Sequence, residues 1–251
     1  MSSMSKDWPI LKNPPVMVAL FQIKFEMGTL ELKDFLGLDA AIRVHLPNRN
    51  DTIEASINVP STNIPLGISK ISGTSNARVA SYVYFSADQK IKLAISNGSI
   101  TLTDERPYES WQIFESEVTL FAGIFSDILK GSVITRTSIR FINQFFFKEF
   151  EDPTVYFRTL ISATDRALLY PLVKYGFKLT LDIEDNIYSI VNQNLEKSSD
   201  KYIYIFDIDV LSRYNSIYNV DWIVSTIQHL RSVKNTIFFN NVTNKTIELC
   251  N

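Results

Sequence analysis

Phe21, Ile23 and Phe25 alternate with Gln22, Lys24 and Glu26. A period of two puts the apolar residues on one face, so this stretch predicts a half-buried strand. Pro14 and Pro15 precede it, and because proline donates no ladder hydrogen bond they mark the strand's entry at Val16. Over Leu30 to Leu38 the spacing becomes helical, with Leu32, Phe35 and Leu36 on one side, and predicts a short helix. A strand is expected near Ile53–Val59, then a long loop around Pro60–Asn76, where Pro, Ser, Thr and Asn accumulate. Tyr82 to Phe85 and Lys90 to Ile95 read as strands. Asn97-Gly98 is a two-residue hairpin signal, with Ser99 to Thr103 as the returning strand. Asp104-Glu105-Arg106-Pro107 then predicts a helix start, because acids suit the positive end of the helix dipole and proline fits the first turn. The helix is expected to run to about Leu129, with Gly131 as terminator. Its stripe is Trp111, Phe114, Val118, Phe121, Phe125 and Ile128, widened by Ile113, Leu120 and Ile124.

The second half follows the same plan. A strand from Val133 to Phe147 passes through Thr137-Ser138-Ile139-Arg140-Phe141, with a bend or bulge expected near Asn143. Pro153 to Ile161 predicts a short helix. Tyr175 to Ile183 and Ile187 to Asn192 form a hairpin around Glu184-Asp185-Asn186, and Tyr202 to Leu211 is a further strand. A helix is expected from Asp221, its N-cap, to Lys234, with Ile223, Ile227 and Leu230 on one face; a last short helix begins after Thr243. Each half thus reads as strand, short helix, antiparallel strands and a long helix with a tryptophan near its start, Trp111 or Trp222. The expected fold class is α+β: a duplicated unit with its helices on one face of a sheet. The division is a polar arm at 1–13, a first repeat at 14–131 and a second at 132–251. The two repeats would pair edge to edge in one pseudo-symmetric domain, hiding two strand edges.

Composition narrows the chemistry. Over 251 residues, 25 basic against 27 acidic side chains leave a formal charge of -2, which supplies no global drive toward nucleic acid. No apolar run approaches the ~20 residues that span a bilayer. Met1 to Asp7 carries no apolar run after its lysine, so no secretion signal is expected there. One cysteine, Cys250, cannot close an internal disulfide, which fits a reducing compartment; a cytoplasmic protein is expected. Cys250 is expected to be terminal and mobile, and His229 to sit near the solvent edge of its helix. Only 8 glycines occur, and neither GxxxxGK[ST] nor GxGxxG is present. No clustered Cys and His suit zinc, and no nucleophile stands in a triad setting. No catalytic residue and no cofactor is assigned.

Pro14-Pro15-Val16 with Phe21-Gln22-Ile23-Lys24-Phe25, then Tyr108-Glu109-Ser110-Trp111, Arg140-Phe141-Ile142-Asn143 and Asp207-Ile208-Asp209 carry a family resemblance. With the terminal helix and Phe238, the chain resembles a sporadically distributed bacterial family of about this length, over nearly its whole extent. The resemblance implies no activity and no site residues. Sporadic occurrence suits an accessory gene, for example in defence or toxin–antitoxin loci.

Three constellations remain. Arg136 and Arg140 share one face of the central strand and can clamp a carboxylate or phosphate, with Asn143 continuing the line. Asp207 and Asp209 share a strand face and can bind a metal or do acid–base work; equally, they can pair with the two arginines across the sheet. Tyr82 with Tyr84, and Tyr202 with Tyr204, can present an aromatic surface to a partner or pack beneath a helix. Three functional readings follow in order. The first is a non-enzymatic protein-binding or adaptor module with another protein as partner. The second is a small anionic-ligand sensor using Arg136 and Arg140. The third is a metal-dependent hydrolase built on Asp207 and Asp209.

Overall fold

The computed structural model describes residues 8–57, 75–148, 153–158 and 173–251. The chain is α+β: among the described residues, ten strands form one antiparallel sheet, flanked by four α-helices. In chain order the strands are β1 (Val16–Phe25), β2 (Asn48–Ile57), β3 (Ser75–Phe85), β4 (Ile91–Ser96), β5 (Ser99–Asp104), β6 (Val133–Phe147), β7 (Lys174–Glu184), β8 (Ile187–Ser198), β9 (Lys201–Ser212) and β10 (Ser216–Ile217). Across the sheet they lie β2-β3-β4-β5-β1-β6-β9-β8-β7, with the short β10 also on β6. The helices are α1 (Asp39–Arg43), preceded by a 3-10 turn over Leu32–Leu38, α2 (Trp111–Ile124), α3 (Val220–Asn241) and α4 (Asn244–Leu249).

β1 and β6 meet antiparallel at the centre, with Phe21 opposite Ile139 and Ala19 opposite Phe141. In β1, Ala19, Phe21, Ile23 and Phe25 are buried, and in β6 Ile139, Phe141, Phe145 and Phe147. These odd-numbered residues face the helices, as the period-two pattern requires. Phe141 fixes that geometry. Its ring lies 5.6 Å from Phe114 and 6.4 Å from Trp111 of α2, and 4.4 Å from the Lys234 ammonium of α3. Both long helices therefore cover the same face. From Arg136 onward the even-numbered residues of β6, including Arg136 and Arg140, point to the other face; before it, a register shift at Thr135 pairs the buried Ile134 with Phe25.

The turns follow the local chemistry. At the β4–β5 hairpin, Ser96 pairs with Ser99 around Asn97-Gly98, and Gly98 has φ +68°. A Cβ there would lie 2.9 Å from the Phe25 carbonyl oxygen, so glycine meets both a backbone and a space requirement. Asn186, in the β7–β8 turn, adopts φ +60°, a conformation asparagine tolerates.

Several boundaries differ from the sequence expectation. α2 starts only at Trp111. Its cap is Ser110, whose hydroxyl accepts from the Ile113 N–H, while Asp104 ends β5 and binds Arg106. Ile113 and Leu120 are each 39 % exposed, so the buried stripe of α2 is narrower than the apolar pattern suggested. α3 is capped by Asn219, which accepts from the Trp222 N–H, not by Asp221, and it runs 22 residues, well past Lys234. The irregularity near Asn143 belongs to β1: Val16 pairs with Asn143 and Val18 with Ile142, so the extra residue is Met17. β6 itself stays in register with β9 through Phe147. Cys250 is buried, not mobile, and its carbonyl accepts the Asn13 N–H at 2.8 Å. The expected loop at 60–76 lies mostly, and the helix at 153–161 partly, outside the described residues. Pro153–Val155 forms a 3-10 turn, and β2 starts at Asn48, earlier than expected.

Candidate functional site

On the sheet face away from the helices, the two arginines and two aspartates find each other. β6 and β9 pair so that Arg140 stands opposite Asp209 and Ile142 opposite Asp207. The Arg140 guanidinium donates to both oxygens of Asp207, Nε at 2.8 Å and Nη2 at 2.7 Å. Asn192 of β8 donates a third bond to Asp207 at 2.8 Å. Arg136 reaches Asp209 at 3.2 Å. Burial pushes the Asp209 carboxyl above its ordinary range, against the opposing pull of Arg136 and Arg140. Each arginine thus faces a carboxylate, the cross-sheet pairing that was one of the sequence readings, while the buried Arg136 Nε has no hydrogen-bond partner among the described residues. No cluster of three or more metal-ligating side chains occurs among the described residues.

Asp207 is the buried partner, with 6 % of its side chain exposed against 43 % for Arg140. Arg140→Ala should therefore cost about 2 kcal/mol by stranding a buried carboxylate, the solvent contact of Arg140 keeping the figure below that of a fully buried pair. The double variant Arg140→Ala, Asp207→Ala should recover about half of that loss, since neither group is then left alone. Urea denaturation of the two single variants and the double variant measures the coupling; strict additivity would mean that the pair is not energetically coupled.

The tyrosines lie on the covered face. Tyr82, Tyr84 and Tyr204 are buried and Tyr202 is half-buried, which corrects the expectation of an aromatic surface. Tyr84 donates to Asp39, and Tyr204 stacks on Phe157 at 3.8 Å. Burial is the main cause of the rise of the Tyr84 phenol to about 12.

Asn143 leads to a different place. It is buried, its side-chain amide donates to the Phe206 carbonyl at 2.9 Å, and it lines a cavity of about 350 Å³. Residues 8–16 form one wall of this cavity, the start of α2 a second and α3 a third. The wall built by residues 8–16 is apolar: Trp8 stacks on Phe239 at 5.1 Å, and Ile10, Leu11, Pro14 and Pro15 continue it. Backbone bonds from Asn13 to Cys250, and from Lys12 to the Asn251 side chain, tie the arm down.

The opposite wall is polar. α3 turns Arg231, Lys234, Asn235 and Phe238 toward the cavity at helical spacing. Arg231 lies 5.0 Å over the Trp111 ring, and Lys234 lies 4.4 Å over Phe141. Among the described residues, neither cation has a carboxylate within ion-pair distance. Glu109 also lines the cavity, but it is exposed and bonds neither of them. Enclosure by protein, and secondarily the Arg231 charge, bring the Lys234 amine down to about 7. Some of the Lys234 surface remains accessible, as befits a side chain facing an open cavity. Tyr108 is pushed up to about 12, with burial outweighing the opposite influence of Arg231.

Two further donor groups lie at the start of α2. The Trp111 indole N–H is buried and has no hydrogen-bond partner among the described residues. The first N–H groups of α2 also have no intrahelical acceptor, and they form the positive end of a 14-residue helix at Trp111 and Gln112. Two cations and a helix N-terminus at the cavity suit a negatively charged group.

Sequence reasoning named Asn143 but missed Arg231, Lys234 and Asn235, because polar residues on a helix ordinarily meet solvent. One signal was present. Ile223, Ile227 and Leu230 are buried, and the same stripe continues to Ile237 and Phe238. Lys234 occupies the intervening stripe position, where an apolar residue is the rule.

No family model and no curated protein matches this chain.

Proposed function

We propose that this protein is a non-enzymatic binding module that holds a small anionic ligand in the cavity between residues 8–16, α2 and α3. The observation that carries this reading is the pair Arg231 and Lys234, two cations facing an open cavity with no carboxylate in ion-pair distance among the described residues. Elsewhere the fold pairs such groups, as in Arg106 with Asp104 and Arg49 with Asp51. A half-buried cation without a partner gives up part of its hydration uncompensated, and an anionic ligand offsets that loss. The apolar wall suits a ligand with an apolar body and a charged head. The anion-sensor reading thus moves from Arg136 and Arg140 to α3, with Asn143 common to both.

The test is thermal unfolding in inorganic phosphate and in short-chain carboxylates. Binding to the folded state alone raises Tm with concentration; at about 100 times Kd the gain is roughly 2.7 kcal/mol. Arg231→Gln should remove most of that rise. An equal rise in the variant, or no rise in the wild type, would assign the effect to general salt action and defeat the reading.

The strand order supports a duplicated origin for the two halves. β1 pairs with β5, the last long strand before α2, as β6 pairs with β9, the last long strand before α3. β4-β3 and β8-β7 then continue outward on the two sides. The sheet face opposite the long helices, where Phe146 is 56 % exposed, favours a second reading, a module that binds another protein, as an accessory system would use. Stoichiometric co-purification of a protein lost on Phe146→Lys would support that reading.

A further inference from the structure

We propose that Lys234 captures a small oxo-acid, an aldehyde or ketone carrying a carboxylate, as a reversible imine. This rests on the anion-binding reading and names the ligand class that the cavity would hold covalently. The geometry has three parts. First, Lys234 reaches the cavity from α3 and lies over the Phe141 ring, with no acid in ion-pair contact among the described residues. Second, Arg231 lies one turn earlier on the same helix face and lines the same cavity. A carboxylate held by Arg231 would place an adjacent carbonyl carbon near the lysine amine. Third, Trp111 and Gln112 line the same cavity at the start of α2, whose first N–H groups have no intrahelical acceptor and suit an oxygen of the bound acid.

The surroundings favour a neutral amine. The ionisable groups facing Lys234 are Arg231 on its own helix, with Tyr108 and exposed Glu109 from the segment before α2. β6 contributes Asn143, and residues 8–16 contribute no charged side chain to the lining. Protein enclosure and the neighbouring guanidinium both disfavour the ammonium. A desolvated lysine beside another cation is the recognised setting for carbonyl capture.

The step balances without a further reagent. The Nζ lone pair adds to the carbonyl carbon, and the carbonyl π pair moves to oxygen. That oxygen takes the proton released by nitrogen, giving a carbinolamine. Loss of the hydroxyl with the remaining N–H proton expels one water and leaves the C=N bond. Hydrolysis reverses the sequence, so the capture is a binding event and consumes nothing.

The experiment uses the full chain with glyoxylate and sodium cyanoborohydride, followed by peptide mapping. Reduction traps an imine as a stable carboxymethyl group on the lysine. Lys234 should be modified at least about tenfold faster than the exposed lysines, because a much larger fraction of it is free amine. Glycolate, which has the carboxylate but no carbonyl, should slow this labelling by occupying the same site. Lys234→Arg removes the amine, so the fast adduct should vanish; the phosphate-dependent rise in Tm is read on the wild-type chain, in which Lys234 is intact. Labelling of Lys234 no faster than exposed lysines, with the phosphate effect intact, would overturn imine capture and leave the anion site standing. Fast labelling without any anion effect on Tm, and without glycolate protection, would overturn the anion reading and with it the oxo-acid selectivity proposed for Lys234.

Discussion

Lys234→Met is expected to stabilise the unliganded protein by about 2–4 kcal/mol at pH 7 and to abolish ligand binding. A lysine amine ordinarily titrates at 10.5; in the fold Lys234 titrates at about 7. Between those values the unfolded chain holds a proton that the folded chain has shed. Stability of the wild type therefore rises with pH from about 7 to 10.5, and below 7 the full penalty of the buried ammonium remains. Methionine fills similar space and carries no charge, so its advantage should be largest at neutral and lower pH and close as pH approaches 10.5. Contact with the cavity leaves the ammonium partly relieved, which holds the expectation below the full linkage value. Urea denaturation of both proteins across this pH window is the measurement. Parallel curves for the two proteins, or a variant less stable at pH 7, would contradict a strained lysine.

Phe141→Ala is expected to cost about 3–5 kcal/mol, the usual range for deleting a fully buried phenyl ring. Phe141 has no exposed surface, and its ring meets Tyr108 at 5.7 Å and Phe114 at 5.6 Å, both edge-on. It also lies beneath Lys234, so the deletion removes the support of the cavity's polar wall along with the contact between sheet and helices. Phe141→Leu, which keeps most of the volume, should lose less than about half as much. Equilibrium unfolding of both variants decides the matter, and a loss under about 1 kcal/mol for alanine would be incompatible with a ring packed under two helices.

The central strands were legible because one face is buried. Alternation from Phe21 to Phe25 and from Ile139 to Phe141 records that face directly, and a one-residue slip would expose it. The hairpins at Asn97-Gly98 and Asn186 were legible because their backbones favour a short list of residues. Helix ends were read less well. Asp104 and Ser110 are both acceptable starts in sequence; Arg106 claims Asp104 and leaves Ser110 as the cap. The tyrosines show a different limit. Alternation places Tyr82 and Tyr84 on one face, but whether a helix lies over that face depends on segments far away in the chain.

The candidate site divides along the same line. Arg136, Arg140, Asp207 and Asp209 were visible as strand-face pairs, and their mutual neutralisation was an available reading, because antiparallel neighbours bring opposite charges within reach. The cavity was not visible as a unit. It joins Trp8, Trp111, Asn143 and Lys234, and nothing local to any one of them requires the others. By itself the sequence determined the strands, their buried faces, the turns and the α+β class, since each follows from periodicity or backbone preference over a few residues. Only the tertiary structure decided that α2 and α3 converge on Phe141 and that residues 8–16 wall off the space beside them. That enclosure removes water from Lys234, and desolvation, a property of the whole surroundings, turns an ordinary helix lysine into a site.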